Sequence, residues 1–191
     1  MSTVGTIHPH VEVKIVDENG RVMPLGERGE LLTRGYNVMH GYWDDTERTQ
    51  LAVDPQGWMH TGDLAVIDAG GYCNIVGRVK DLIIRGGENI SPREIEEFLY
   101  RHPKVQDVQV FGIPDTRMGE VVCAWIKHKP ATPCTAEEIR QFCRYQIAHY
   151  KVPLHVRFVE EFPMTITGKI QKFVMREAMI EELRVKEEVT A

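Results

Sequence analysis

The amino-acid sequence predicts an α+β fold in two parts. A small β subdomain, distorted and barrel-like, is followed by an α+β domain around a central three-stranded sheet. Three observations carry this reading. Up to about residue 77, apolar residues alternate in short runs closed by glycine turns, the pattern of half-buried strands in a small barrel or bent sheet. Beyond Lys80, two helix starts are marked at Ser91 and Thr135, with apolar residues recurring three and four positions on. Between them lies the nearly all-apolar run "VVCAWI", which suits a strand covered on both faces.

Taken in order, "VEVKIVD" alternates, and Asn19-Gly20 supplies a hairpin turn. "GELLTRG" is a second short strand, and "LAVIDAGGYCNIVG" is a hairpin turning at Asp68–Gly71. The pattern changes in "GRVKD", so the domains are placed at 1–77 and 81–191, with a hinge at 78–80. Ser91 is the N-cap of a helix, Pro92 fits its first position, and Glu94 completes a capping box. Ile95, Phe98 and Leu99 share its inner face, and Pro103 lies past its end. "VQDVQVFG" and "EVVCAWIKH" are strands, the second central. Thr135 caps the next helix with Glu138 at its third position, and Ile139, Phe142, Cys143 and Ile147 face inward. "LHVRFVEEF" is a third strand, and a last helix is expected from about Ile170 to Arg184.

Composition narrows the function. The 191 residues are 42% hydrophobic, enough for one domain core or two small ones. A net charge of −5 without a Lys/Arg block argues against a nucleic-acid partner. Cys73, Cys123, Cys134 and Cys143 form no C-x-x-C pair, and the eight histidines show no metal spacing. Reduced thiols and no metal site are therefore expected. No apolar run is long enough to span a bilayer, and the N-terminus has neither a basic start nor an apolar signal core. These features predict a cytoplasmic protein without a transmembrane segment.

Three clusters can carry chemistry. In "GWMHTGDLAVID", Asp63 follows Thr61-Gly62 at a strand end. A carboxylate there can accept both hydroxyls of a ribose, with the glycine permitting close approach. A plain turn aspartate fits the same residues. In "GRVKDLIIRGGENISPREIEEF", Arg78 offers a fork of donors to a ribose or phosphate. Lys80 stands at the composition boundary, where a backbone rotation would swing the second domain. Gly86-Gly87 lets another backbone or a narrow ligand pass. A surface cation pair and a tight turn account for these residues equally. In "FPMTITGKIQKF", Lys169 follows a Thr/Gly turn just before a helix and can reach an anion. It is not a Walker A loop, and a solvated lysine at a helix start remains the alternative.

In this order, "GELLTRGYNVMHGYW", "WMHTGDLAVID", "GRVKDLIIRGGENISPREIEEFL" and "PMTITGKIQKF" resemble motifs of the adenylate-forming (AMP-binding) enzymes. The wording "IIRGGENISPREIEE" is most similar to the fatty- or medium-chain acyl-CoA synthetase branch. The resemblance implies two half-reactions. A carboxylic acid and ATP give acyl-adenylate and pyrophosphate, and the thiol of CoA then displaces AMP. It also implies roles. Asp63 and Arg78 would contact the nucleotide, and Lys80 would be the hinge. Gly86 and Gly87 would line the pantetheine tunnel, and Lys169 would be the catalytic lysine bridging carboxylate and phosphate.

The family's aromatic-Gly-x-Thr-Glu motif and its Ser/Thr/Gly-rich phosphate loop do not occur in this chain. The Mg ion, the triphosphate and most of the acyl pocket would sit on a large N-terminal domain outside it. Three readings follow: a ligase fragment inactive alone, the lid half of a split ligase, or a non-catalytic nucleotide- or protein-binding module that keeps the fold. A carrier protein in place of CoA is a variant of the first two.

Overall fold

The computed structural model describes residues 3–190. The chain divides into two compact units, Met1–Lys80 and Asp81–Ala191.

The first unit holds β1 (Gly5–Thr6), β2 (Val11–Val16), β3 (Gly29–Gly35), α1 (Thr46–Ala52), β4 (Met59–Ile67) and β5 (Tyr72–Arg78). The strands form one antiparallel sheet in the order β1-β5-β4-β3-β2. The order leaves β1 and β2 as edges, so the barrel-like subdomain is an open sheet. Irregular register between Glu30 and Leu32, and between Leu64 and Ala65, distorts it, because a bulge bends and twists its strand. Ile15, Ala65, Ile67 and Cys73 form the core, with Val13, Leu31 and Ile75 against it.

Both expected hairpin turns are present and share one device. The Asp17 carboxylate accepts the amides of Asn19 and Arg21, and that of Asp68 accepts those of Gly70 and Tyr72. One correction concerns α1, since this part was read as all-β. Asp45 caps that helix by accepting the Arg48 amide at 2.8 Å. None of its residues is buried, so no apolar period announced it.

The second unit holds β6 (Ile83–Arg85), β7 (Glu88–Ile90), α2 (Pro92–Leu99), β8 (Val105–Asp115), β9 (Gly119–His128), α3 (Ala136–Cys143), β10 (His155–Phe158) and α4 (Lys172–Thr190). The three expected strands, β8, β9 and β10, form the centre, and the short β6–β7 hairpin joins β9 at Arg85 and Gly119. β8 lies antiparallel to β9, whereas β10 lies parallel to it. The intervening α3 makes the parallel return possible, since a tight turn cannot.

The apolar run of β9 is explained by burial on both faces. Val122, Ala124 and Ile126 pack into one cluster with Ile95, Leu99 and Ile139. Val121, Cys123 and Trp125 pack into another with Phe162, Met175 and Met179. α2 and α3 thus cover one face and α4 the other.

The helix starts match expectation in part. Thr135 and Glu138 make the full capping box of α3. Ser91 is the N-cap of α2 and Pro92 its first residue, but the Ser91 side chain makes no cap hydrogen bond. Glu94 pairs with Lys151 instead of closing a box. The last helix begins at Lys172 rather than Ile170, because Ile170 bridges to Met164 and the Gln171 amide donates to Pro163 O at 2.9 Å.

Just beyond α3, Tyr145 holds φ 63° with its side chain fully exposed. A left-handed backbone costs an L-residue about 1 kcal/mol, and glycine is largely spared that cost. Tyr145→Gly is therefore expected to stabilise the second unit by about 1 kcal/mol, seen as a higher urea midpoint at unchanged m-value. A lower midpoint would show that the aromatic ring contributes to folding.

Candidate functional site

The nucleotide corner is built on the β4–β5 ladder. Asp63 and Arg78 face each other across it, and Arg78 Nε donates to Asp63 Oδ1 at 2.9 Å. The corner is held from below. Thr61 Oγ1 donates to Leu31 O at 2.7 Å and accepts the Asp63 amide at 3.1 Å. Glu30 accepts the Gly62 amide at 3.1 Å and meets His60 Nδ1 at 3.0 Å. Asp63 is thus a fixed acceptor whose second carboxylate oxygen carries no hydrogen bond among the described residues. Arg78 stays largely open to solvent. The supports, Thr61 and Glu30, were not singled out from the sequence. The only sign of Glu30 was its place at the start of "GELLTRG".

Lys80 ends the first unit, exposed in the short 3-10 turn Val79–Asp81. Its ammonium has no ion pair among the described residues.

Gly86 and Gly87 are the two loop residues of the β6–β7 hairpin, between the paired Arg85 and Glu88. Their φ values are 60° and 90°. A two-residue hairpin loop with both φ positive is a primed turn, which favours glycine. The turn therefore explains the pair by itself. The two positions still differ. A Cβ on Gly86 would come within 2.9 Å of the Met118 side chain, while one on Gly87 would meet nothing within 4 Å. Gly87 therefore leaves an open backbone face.

Lys169 lies on a hairpin, three residues before α4. Thr165 N donates to Lys169 O, Gly168 N to Thr165 O, and Lys169 N to Thr165 Oγ1, all within 2.9–3.0 Å. The tip, residues 165–169, is exposed, and Ile166 is wholly so. The Lys169 ammonium has no hydrogen bond or ion pair among the described residues. Lys169 is thus a cation on a hydrogen-bonded turn, with Ile170 and Gln171 between it and the start of α4.

The structure brings Asp63 and Arg78 together. Within the second unit, Gly86-Gly87 and Lys169 belong to different hairpins. Cys123 and Cys143 are buried, and desolvation pushes their thiols up to about 12 and about 11. Thiolate chemistry is therefore disfavoured there. Among the described residues no group of three or more His, Cys, Asp or Glu could hold a metal ion, and no helix is long and apolar enough to cross a membrane.

Comparison with known proteins finds relatives along most of the chain. Residues 94–169 match the AMP-binding enzyme C-terminal domain, and residues 1–43 match the AMP-binding enzyme family. A mitochondrial medium-chain acyl-CoA ligase of Danio rerio is 54% identical over 95% of this chain and 30% of its own length. YngI of Bacillus subtilis, named as an acyl-CoA synthetase, is 52% identical over 95% of this chain and 33% of its own. The chain thus spans about a third of the length of these relatives. The crystal structure of ATP-bound MatB from Rhodopseudomonas palustris aligns with a TM-score of 0.88 and 36% identity, over 92% of this chain and 35% of that one. The chain belongs to the AMP-binding, adenylate-forming family, carries its C-terminal domain, and is similar over 95% of its length to acyl-CoA ligases.

Proposed function

We propose that this chain is the C-terminal part of an acyl-CoA synthetase that activates a fatty acid in two steps. In the first, a carboxylate oxygen attacks the α-phosphorus of ATP, the bond to the β-phosphate bridge breaks, and pyrophosphate leaves. In the second, the CoA sulfur attacks the acyl carbon, AMP leaves with the bonding pair, and the thiol proton passes to solvent. Asp63 accepts the ribose hydroxyls and Arg78 supplies a cation beside them. Lys169 stabilises charge as the first step builds it. Lys80 is the pivot between 1–77 and 81–191, and the Gly86-Gly87 turn gives the pantetheine arm its passage.

The single observation that carries this reading is Lys169, a lysine presented on a hydrogen-bonded turn with no side-chain partner among the described residues. A cation placed so has its use on an anion brought from elsewhere. The large domain, the Mg ion and the acyl pocket belong to residues outside this chain, which alone is inactive. Four free cysteines suit a reducing compartment, and the cytoplasm is the one proposed.

The test is a chimera in which this chain replaces the matching third of the Danio rerio ligase. With a medium-chain fatty acid, ATP and CoA it should form acyl-CoA and AMP, while the 191-residue chain forms none. A folded chimera that makes no acyl-adenylate would favour the non-catalytic binding module. Turnover by the chain alone would overturn its dependence on a large domain.

A further inference from the structure

We propose that Lys172 is a positioning residue for Lys169, acting through Glu96 and the outer edge of β8. This rests on the adenylation role proposed for Lys169.

The hairpin that presents Lys169 is rooted on both arms. On the incoming arm Phe162 is buried in the core under α4. On the outgoing arm only Ile170 and Gln171 separate Lys169 from Lys172, and both are tied back to the hairpin through Met164 and Pro163. Any shift in the first turn of α4 therefore passes to Lys169 with little slack.

That first turn is fixed by a closed set of polar contacts. Lys172 Nζ donates to Glu96 Oε1 at 2.7 Å and to Val110 O at 3.0 Å. The same Glu96 oxygen accepts the Val110 amide at 2.8 Å. One ammonium, one carboxylate and one peptide group thus lock α4 to α2 and β8 together. The pair is well covered, with side chains 26% and 15% exposed. Four residues on, Arg176 repeats the arrangement. It donates to Gly112 O at 2.8 Å and to Glu120 Oε1 at 2.7 Å. Lys172 and Arg176 share one helix face, and they hold alternate carbonyls of β8.

An apolar pair of similar volume would cement the same helix at least as well, since a covered ion pair is a weak source of stability. What the ionic arrangement adds is register. Directional, charge-assisted bonds to named backbone atoms fix where α4 begins. A catalytic cation whose reach decides the rate needs that, because a misplacement of about 1 Å can cost two orders of magnitude.

The experiment uses the chimera and separates the half-reactions. Lys172→Met should slow acyl-adenylate formation by about tenfold or more through kcat, with the KM for ATP unchanged. Thioester formation from preformed acyl-adenylate should stay at the parent rate. Glu96→Gln should show the same split, and Lys172→Arg, which keeps the donors, should recover most of the loss. Should a variant fold poorly by urea titration, the others still decide. An equal fall in both half-reactions would make the pair merely structural, and no fall in adenylation would remove the proposal. If Lys169→Ala abolishes adenylation while Lys172→Met does not, only the positioning role fails. If Lys169→Ala leaves adenylation intact, the reading of Lys169 fails first.

Discussion

Lys169→Ala in the chimeric ligase is expected to lower acyl-adenylate formation by about 10²–10³-fold. Conversion of preformed acyl-adenylate to acyl-CoA should be unchanged. The first half of this expectation follows from where charge develops. In-line attack at phosphorus gathers negative charge on the phosphoryl and leaving oxygens, and a preorganised cation is worth about 3–4 kcal/mol against that charge. The second half follows from the proposed pivot at Lys80, which takes Lys169 away from the reacting centre before the CoA thiol attacks. The structure makes the experiment clean. Lys169 has no side-chain partner among the described residues, and its hairpin is closed by backbone and threonine contacts that alanine keeps. Folding should therefore be untouched. Quench-flow measurement of pyrophosphate release reports the first step, and equal losses in both steps would sink the assignment.

The largest stability effect is expected at Ile126. It is fully buried on β9, flanked by Val108 on β8 and Phe158 on β10. It belongs to the cluster that also holds Ile83, Leu99 and Ile139. Ile126→Ala removes three carbons where helices and two strands converge, so the cavity cannot collapse easily. A loss of about 3–4 kcal/mol is expected, read from the urea transition of the second unit, which can be separate from that of the first. A loss under about 1 kcal/mol would mean that the surroundings relax into the space.

Much of the second unit was legible because its signals are local. Thr135 and Glu138 name a capping box by spacing alone, and the apolar run from Val121 to Ile126 names a strand covered on both sides. Ser91 is the N-cap as read, but its side chain makes no cap hydrogen bond, so only the capping box was misread. Its side chain is buried, and Glu94 finds Lys151 far along the chain. The start of α4 was misplaced by two residues because Ile170 and Gln171 are spent on the hairpin. Helix α1 was invisible, since a helix that buries nothing leaves no period. At the site, the residue types could be read but not their supports. Glu30 beneath Gly62, and Lys172 on Glu96, are contacts between residues 32 and 76 positions apart, and no window of sequence shows them.

The side chains that cross the free edge of β8 have one more consequence. A long strand with unpaired amides and carbonyls is a template on which another chain can add a strand. In this unit Val110 offers neither its amide nor its carbonyl, and Gly112 does not offer its carbonyl, because Glu96, Lys172 and Arg176 already occupy them. The same contacts that hold a helix in place thereby close this stretch of the sheet to intermolecular pairing.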